Sequence, residues 1–346
     1  MYSEAELQSA VSAGAISPEA AQALRDHALG LRSTPVADEE HFRLITGFND
    51  IFVTIAAVLL LVACAGIGKA IAVGVGGLLV AGAAWAMAEF FTRQRRMALP
   101  SIVLLLAFVG GVIAVPIEII DTTAPHFSDQ ATALIGAAMG IVGGLAALVH
   151  WRRFMVPITV AAGTAALAAT AVALILAAVQ PLVGREGMVD VLLWLLLGAG
   201  LVVFAIAMRW DMSDRARETR RSDVAFWLHL LAAPMIAHPL FHALGVTQGD
   251  EIGVCAAIGV IAIYALLGLV ALAVDRRALL VSALAYVLTA MTLLFRNFGM
   301  VELNVAITGL VIGSALLTLS AFWGPIRRAV VTPLPDQWRG RLPATA

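Results

Sequence analysis

Apolar residues gather in ten blocks along the chain, at 50–68, 71–91, 99–120, 130–150, 154–179, 190–209, 224–244, 252–274, 278–296 and 303–323. An α-helix needs about 20 residues, at roughly 1.5 Å each, to cross about 30 Å of hydrocarbon, and each block has about that length. The polar connections are short, so neighbouring spans pair as antiparallel hairpins. The pattern predicts an all-α integral membrane protein of about ten transmembrane helices over 46–328, with the lipid bilayer as its first partner.

The flanks follow different rules. In residues 1–45, "SEAE" at 3–6 fits a capping box of Ser3 with Glu6. Gly14 then stops the first helix, Ser17 caps a second, and Pro18 takes its first helical position. This reads as a helical hairpin head with Leu7, Val11, Leu24 and Ala28 along its seam. It is too small to hold a core alone and is expected to dock on the membrane domain or on a cytoplasmic protein partner. The start is polar and acidic without an apolar core, so span 1 is expected to act as an uncleaved insertion signal. The tail 329–346, "AVVTPLPDQWRGRLPATA", is rich in proline without apolar period and is expected to be disordered.

Charge orients the spans. Every second connection is basic: Arg93, Arg95 and Arg96; Arg152 and Arg153; Arg209, Arg215, Arg217, Arg220 and Arg221; Arg276 and Arg277; then Arg327 and Arg328. The alternate connections carry only Lys69, Arg185 and Arg296. By the positive-inside rule both termini are expected in the cytoplasm.

Composition agrees with the membrane class: 61% of residues are hydrophobic and 13% charged, against about 45–50% and about 25% in soluble domains. The formal net charge of −1 speaks against nucleic acid as a partner. Cys64 and Cys255 are the only cysteines and both fall inside spans, which reads as two buried free thiols rather than a disulfide framework. Phosphate-loop, CxxC and nucleophile-elbow motifs do not occur, so neither a cofactor nor enzymatic chemistry is implied.

A repeat lies inside the spans. At an offset of 123, "VIAVPIE" (112–118) falls on "MIAHPLF" (235–241), with Pro116 on Pro239. At 124, "LAALVHWRR" (145–153) falls on "LVALAVDRR" (269–277), and at 232 "GLLVAGAAWAMAEFFTRQRR" (77–96) on "GLVIGSALLTLSAFWGPIRR" (309–328). This suggests a four-helix unit arranged 4+4+2, the kind of internal repeat on which several transporter folds are built.

Matched proline-interrupted spans point to a transporter site. Span 3 offers Pro116, Glu118 and Asp121; span 7 offers Pro234, Pro239, His238 and His242, the two histidines four apart on one helix face. Arg296, Asp190, Glu302 and Asn304 lie at the same end. Glu118, Asp121, His238, His242 and Arg296 are therefore expected to form a proton-coupled site for a small solute or ion. The competing reading places these groups at the interface, where charge is cheap. A zinc reading of "HPLFH" fails on chemistry, because Pro239 stands where the HExxH pattern carries its glutamate. His229 lies on the opposite face and reads as a core histidine. Near the basic end, where Thr54 lies one turn beyond Asp50, Asp50 or Glu89 is expected to pair with arginine, the competing reading being a cytoplasmic gate. The glycines of 74–82, 136–144 and 198–200 read as close-packing sites between helices.

The "ISPEAAQAL" head followed by many Ala/Leu/Gly spans resembles bacterial multi-pass inner-membrane proteins of unknown function. The resemblance implies a bacterial inner membrane, and no chemistry comes with it. Two functions are open: a small-solute or ion transporter, and a non-transporting scaffold or sensor signalling through its head.

Overall fold

The computed structural model describes residues 4–24, 48–123, 127–184, 187–217, 219–248, 253–297 and 304–343, and all regular structure among them is helical. The chain divides into two compact units, Met1–Arg43 and Leu44–Thr345.

In the first unit, α1 (Glu4–Ser12) ends at Gly14, whose φ of 71° is the left-handed conformation that glycine adopts without steric cost. The N–H of Ala15 donates to the carbonyl of Ala10 across this turn. Ser17 Oγ accepts from the N–H of Ala20 and opens α2 (18–24). Ser3 and Ala28, expected in the capping box and the seam, lie outside the described residues.

The second unit is a helical bundle. Eight of its described helices are long and apolar enough to cross a membrane. They are α3 (Phe48–Ile71), α4 (Val75–Ala88, continued by a π-turn Glu89–Gln94), α5 (Ala98–Thr123), α6 (Asp129–Phe154), α7 (Ile158–Val183), α8 (Met188–Met212), α9 (Arg220–Ala243) and α10 (Val254–Val274). They occupy the first eight expected spans. Where the ninth and tenth were expected stand the helices α11 (Ala278–Asn297) and α12 (Asn304–Ala321), which are apolar over Ala278–Leu294 and Ile312–Ala321.

The glycine pattern explains the tightest crossings. A Cβ on Gly77 would lie 2.7 Å from the carbonyl oxygen of Gly111, so α4 and α5 approach backbone to backbone. A Cβ on Gly140 would meet Ala166 O at 2.8 Å, the corresponding approach of α6 to α7. Gly200 on α8 lies against Met235 and Ile236 of α9, where a Cβ would sit 2.9 Å from Met235 Cβ. Gly82 and Gly198 face open space instead, so the small-residue pattern marks packing only in part.

α9 is the most enclosed span. Of its apolar window 56% is buried in protein, against 33% or less for the other seven. It packs on α8, α11 and α7, and Val224, Leu228, Ala232, Ala237 and Phe241 enter one core with Val203 and Ala207 of α8 and Val260 of α10. This enclosure is why prolines and histidines can share the span: backbone interruptions and polar groups inside a bilayer are tolerated where protein surrounds them. Pro116, Pro234 and Pro239 all lie inside continuous helices, as does Pro181 of α7.

Two expectations are corrected. The 329–346 tail does not lack structure through residue 343. α13 (Trp323–Val331) carries the chain past the last span, α14 (Asp336–Arg339) follows, and Val331 and Leu342 are buried with Val274. Local composition missed this because the order comes from the surface the tail lands on. The cysteines are free, as read, but not both buried: Cys64 is half-buried and Cys255 lies exposed on the helix surface.

Candidate functional site at the basic end of the bundle

The residues read from spans 3 and 7 are placed separately. Glu118 is half-buried on α5, and its Oε2 accepts the N–H of Gly74 at 2.9 Å. Gly74 has φ +81° in the turn between α3 and α4, so Glu118 closes that turn. Asp121 is exposed one turn on. His238 Nδ1 lies 3.0 Å from the hydroxyl of Tyr286 on α11. His242 Nδ1 lies 2.5 Å from Thr247 Oγ1, and its Nε2 is 3.4 Å from Gln248 Nε2. The two histidines do share a face, with ring centroids 6.2 Å apart. Glu118 is engaged by Gly74 and His238 by Tyr286, so these polar contacts do not join α5 to α9. The principal packing partners of α5 are α4, α6 and α3. Arg296 lies in the last turn of α11 with its side chain outside the described residues, and Glu302 also lies outside them.

The dense polar constellation is at the opposite, arginine-rich end. Asp211, in the last turn of α8, is 1% exposed. Its Oδ1 accepts Arg276 Nη2 at 2.5 Å, and its Oδ2 lies 2.8 Å from His229 Nε2. Arg276 Nη2 also donates to the carbonyl and hydroxyl of Ser222, both at 3.1 Å. A carboxylate can only accept, so His229 carries its proton on Nε2. Its Nδ1 is buried with no hydrogen-bond partner, and Phe204 packs edge-on against the ring at 5.1 Å. Three elements meet here: the end of α8, the enclosed α9, and the turn from α10 to α11.

A second knot adjoins it. Asp275 ends α10 in a left-handed conformation, φ +60°. Its Oδ2 accepts Arg217 Nη1 at 2.8 Å and its Oδ1 accepts Trp323 Nε1 at 2.6 Å. Arg217 also donates to the carbonyls of Val274 and Asp275. Burial first, and the charge of Arg276 next, hold the Arg217 guanidinium below its ordinary value, with Asp275 opposing. Arg327, 2% exposed, lies 3.6 Å from Asp275 and donates to the carbonyls of Leu272 and Pro343. Arg215 donates to the carbonyl of Leu342. The tail is therefore held by one buried arginine, Arg327, that needs acceptors, and by the exposed Arg215. A buried charge left unpaired is expensive, and backbone carbonyls of an otherwise polar segment satisfy it.

The sequence matches no family model, no curated protein and no solved structure. What the chain can do must therefore be read from its own groups. Among the described residues no group of three or more His, Cys, Asp and Glu is placed to hold a metal ion. The Asp211 cluster offers instead an ion pair, a histidine with one free nitrogen, and a seal between helices.

Sequence reasoning counted Arg217, Arg276 and Arg327 as orientation signals and set His229 aside as a core histidine. Two aspartates were the available sign. Asp211 in "MRWDMSD" and Asp275 in "AVDRR" stand at span ends among arginines, where acidic residues serve as partners. The other polar group at the basic end came closer to expectation. Glu89 accepts Arg153 at 2.6 and 2.9 Å, with Arg93 at 3.3 Å. This pair joins the π-turn after α4 to the end of α6, beside an aromatic set of Trp85, Phe108, His150 and Phe154.

Proposed function

We propose that the protein is a small-solute or ion transporter, proton-coupled, of the bacterial inner membrane, with both termini in the cytoplasm. The Asp211–His229–Arg276 cluster is its inner gate. The observation that carries the reading is the burial of this triad where the end of α8 and the turn after α10 meet α9, the most enclosed span. Ionisable groups within a bilayer are costly and are functional candidates by default. Replacing a buried ion pair with apolar residues often leaves stability unchanged or improved, so such a pair is weak as a pure fastener and well suited to a switch. α9 then lines the path, with His238, Tyr286 and His242 towards the outer mouth. Glu118 closes the outer turn between α3 and α4.

The 4+4+2 repeat belongs to this proposal. The approach of Gly77 to Gly111, between α4 and α5, lies 123 residues before that of Gly200 to Met235, between α8 and α9, within one position. The packing of α3 and α4 on α5 is likewise echoed by α7 and α8 on α9. These correspondences support parallel units of the kind found in transporters.

The scaffold or sensor reading has one observation in its favour. Arg215 and Arg327 bind the tail beside the gate residues, so a change there would reach a cytoplasmic partner of the tail or head. Full-length protein in vesicles loaded with a pH-sensitive dye separates the two. A transporter moves protons when one of a panel of small anions, cations and neutral solutes is added, and His229→Ala and Arg276→Gln abolish the movement in folded protein. Proton movement with no solute of the panel, or movement unchanged in both variants, refutes the gate.

A further inference from the structure

The bundle carries a groove at its basic end that none of the residues above uses. Between α6 and α7 a cleft of about 470 Å³ is lined by Ile141, Leu145 and Leu148 on one wall, Gly163 and Leu167 on the other, and Trp210 of α8 at its end. Gly144 and Gly163 keep it open. Its hydroxyls are already engaged: Thr164 donates to the carbonyl of Val160, and Thr159 lies 3.3 Å from His150 Nδ1. The lining is therefore apolar. From Trp151 at the basic end to Ile141 is about 15 Å along α6, at roughly 1.5 Å per residue. That is half of the roughly 30 Å hydrocarbon core, the depth of one leaflet.

Trp210 also lines a second, polar cavity of about 370 Å³, with Ile206, Arg209, Ser213 and Arg221. Arg209 ends α8 and Arg221 opens α9. Neither guanidinium has a partner among the described residues. Among the described residues the nearby carboxylates are engaged elsewhere: Asp211 with Arg276 and His229, Asp214 with the N–H and hydroxyl of Thr219, and Asp223 with the charges of Arg276 and Arg220. Two uncompensated arginines at headgroup depth, joined through one tryptophan to a leaflet-deep apolar slot, complement a molecule with an anionic head and a hydrocarbon tail. Among the described residues no carboxylate lines the polar cavity to receive the ammonium of a zwitterionic headgroup.

We propose that this composite site holds one anionic phospholipid, its phosphate between Arg209 and Arg221 and one acyl chain in the α6–α7 cleft. The lipid would bridge α6 and α7 to the start of α9, next to the Asp211 cluster, and would tie the leaflet's composition to that region.

The test uses full-length protein in non-ionic detergent, titrated with phosphatidylglycerol or phosphatidylcholine of the same chains and read by native mass spectrometry. Wild-type protein should retain phosphatidylglycerol in preference. Arg209→Gln and Arg221→Gln, at exposed positions that leave the core intact, should each weaken that retention about fivefold, the effect of ~1 kcal/mol per basic residue at an anionic surface, and leave phosphatidylcholine unaffected. Phosphatidylglycerol brominated on its chains should quench part of the tryptophan fluorescence, and that part should vanish in Trp210→Phe. Equal retention of the two lipids by wild type, unchanged in the double arginine variant, would overturn the site. Full displacement of the lipid by glycerol phosphate at the same concentration would also overturn it, since the cleft would then add nothing.

Discussion

Asp211 shows what burial does to a single side chain. It sits 1% exposed between Arg276 and His229, so removing one partner strands a charge. Asp211→Asn and Arg276→Met should each destabilise the folded protein by about 3–5 kcal/mol, the usual cost of breaking a buried pair. The double variant should cost clearly less than the sum, and unfolding in mixed micelles measures that coupling. Gly74 shows the opposite dependence, on backbone rather than charge. At φ +81° an alanine pays the left-handed penalty of about 1–2 kcal/mol, so Gly74→Ala should destabilise by that amount. Glu118→Gln retains an acceptor for the Gly74 N–H and should lose under about 1 kcal/mol, while Glu118→Ala loses more. A Glu118→Gln protein that unfolds as readily as Glu118→Ala contradicts the turn-closing role.

Among the helices, close approach and mere smallness are separable. A Cβ at Gly140 would lie 2.2 Å from Thr170 Oγ1 and 2.8 Å from backbone oxygen of Ala166, and one at Gly200 would lie 2.9 Å from Met235 Cβ. Gly140→Ala and Gly200→Ala should each cost about 1–3 kcal/mol through overpacking. Gly82→Ala and Gly198→Ala, where nothing lies within 4 Å, should be neutral or slightly stabilising, because alanine is the better helix former. Thermal stability of the four variants in one detergent decides it; a uniform loss across the four would mean that glycine matters here for some reason other than contact.

For the whole molecule, the tail is a structural part. Ending the chain after Val331 would leave Arg327 and Arg215 without the carbonyls of Pro343 and Leu342. The shortened protein should melt lower than the full chain, and Arg327→Met should recover part of the loss by removing the buried charge. The proposed orientation rests on the arginine alternation. Single cysteines in a chain lacking Cys64 and Cys255 should react with an impermeant thiol reagent in intact cells when placed at 121–129 or 245–251. They should stay unreactive at 210–222. Labelling at 210–222 would reverse or break the orientation.

The sequence alone was enough for the membrane class, the helical architecture and the first eight spans, because hydrocarbon thickness imposes one length and one composition on every crossing helix. The Ser17 cap of the head, the turn at Gly14 and the pairing of Glu89 with arginine were also legible, being local or nearly so. Tertiary structure alone decided which polar groups meet. Glu118 and His238 flank matched prolines, Pro116 and Pro239, yet one bonds Gly74 and the other Tyr286, since the neighbours of a span depend on how helices cross. Asp211, 65 residues from Arg276, and Arg217, 58 from Asp275, carry no sequence mark of those partners. Their contacts exist because buried charges accept whichever partner the packing brings within reach, and that selection is made by the assembled bundle.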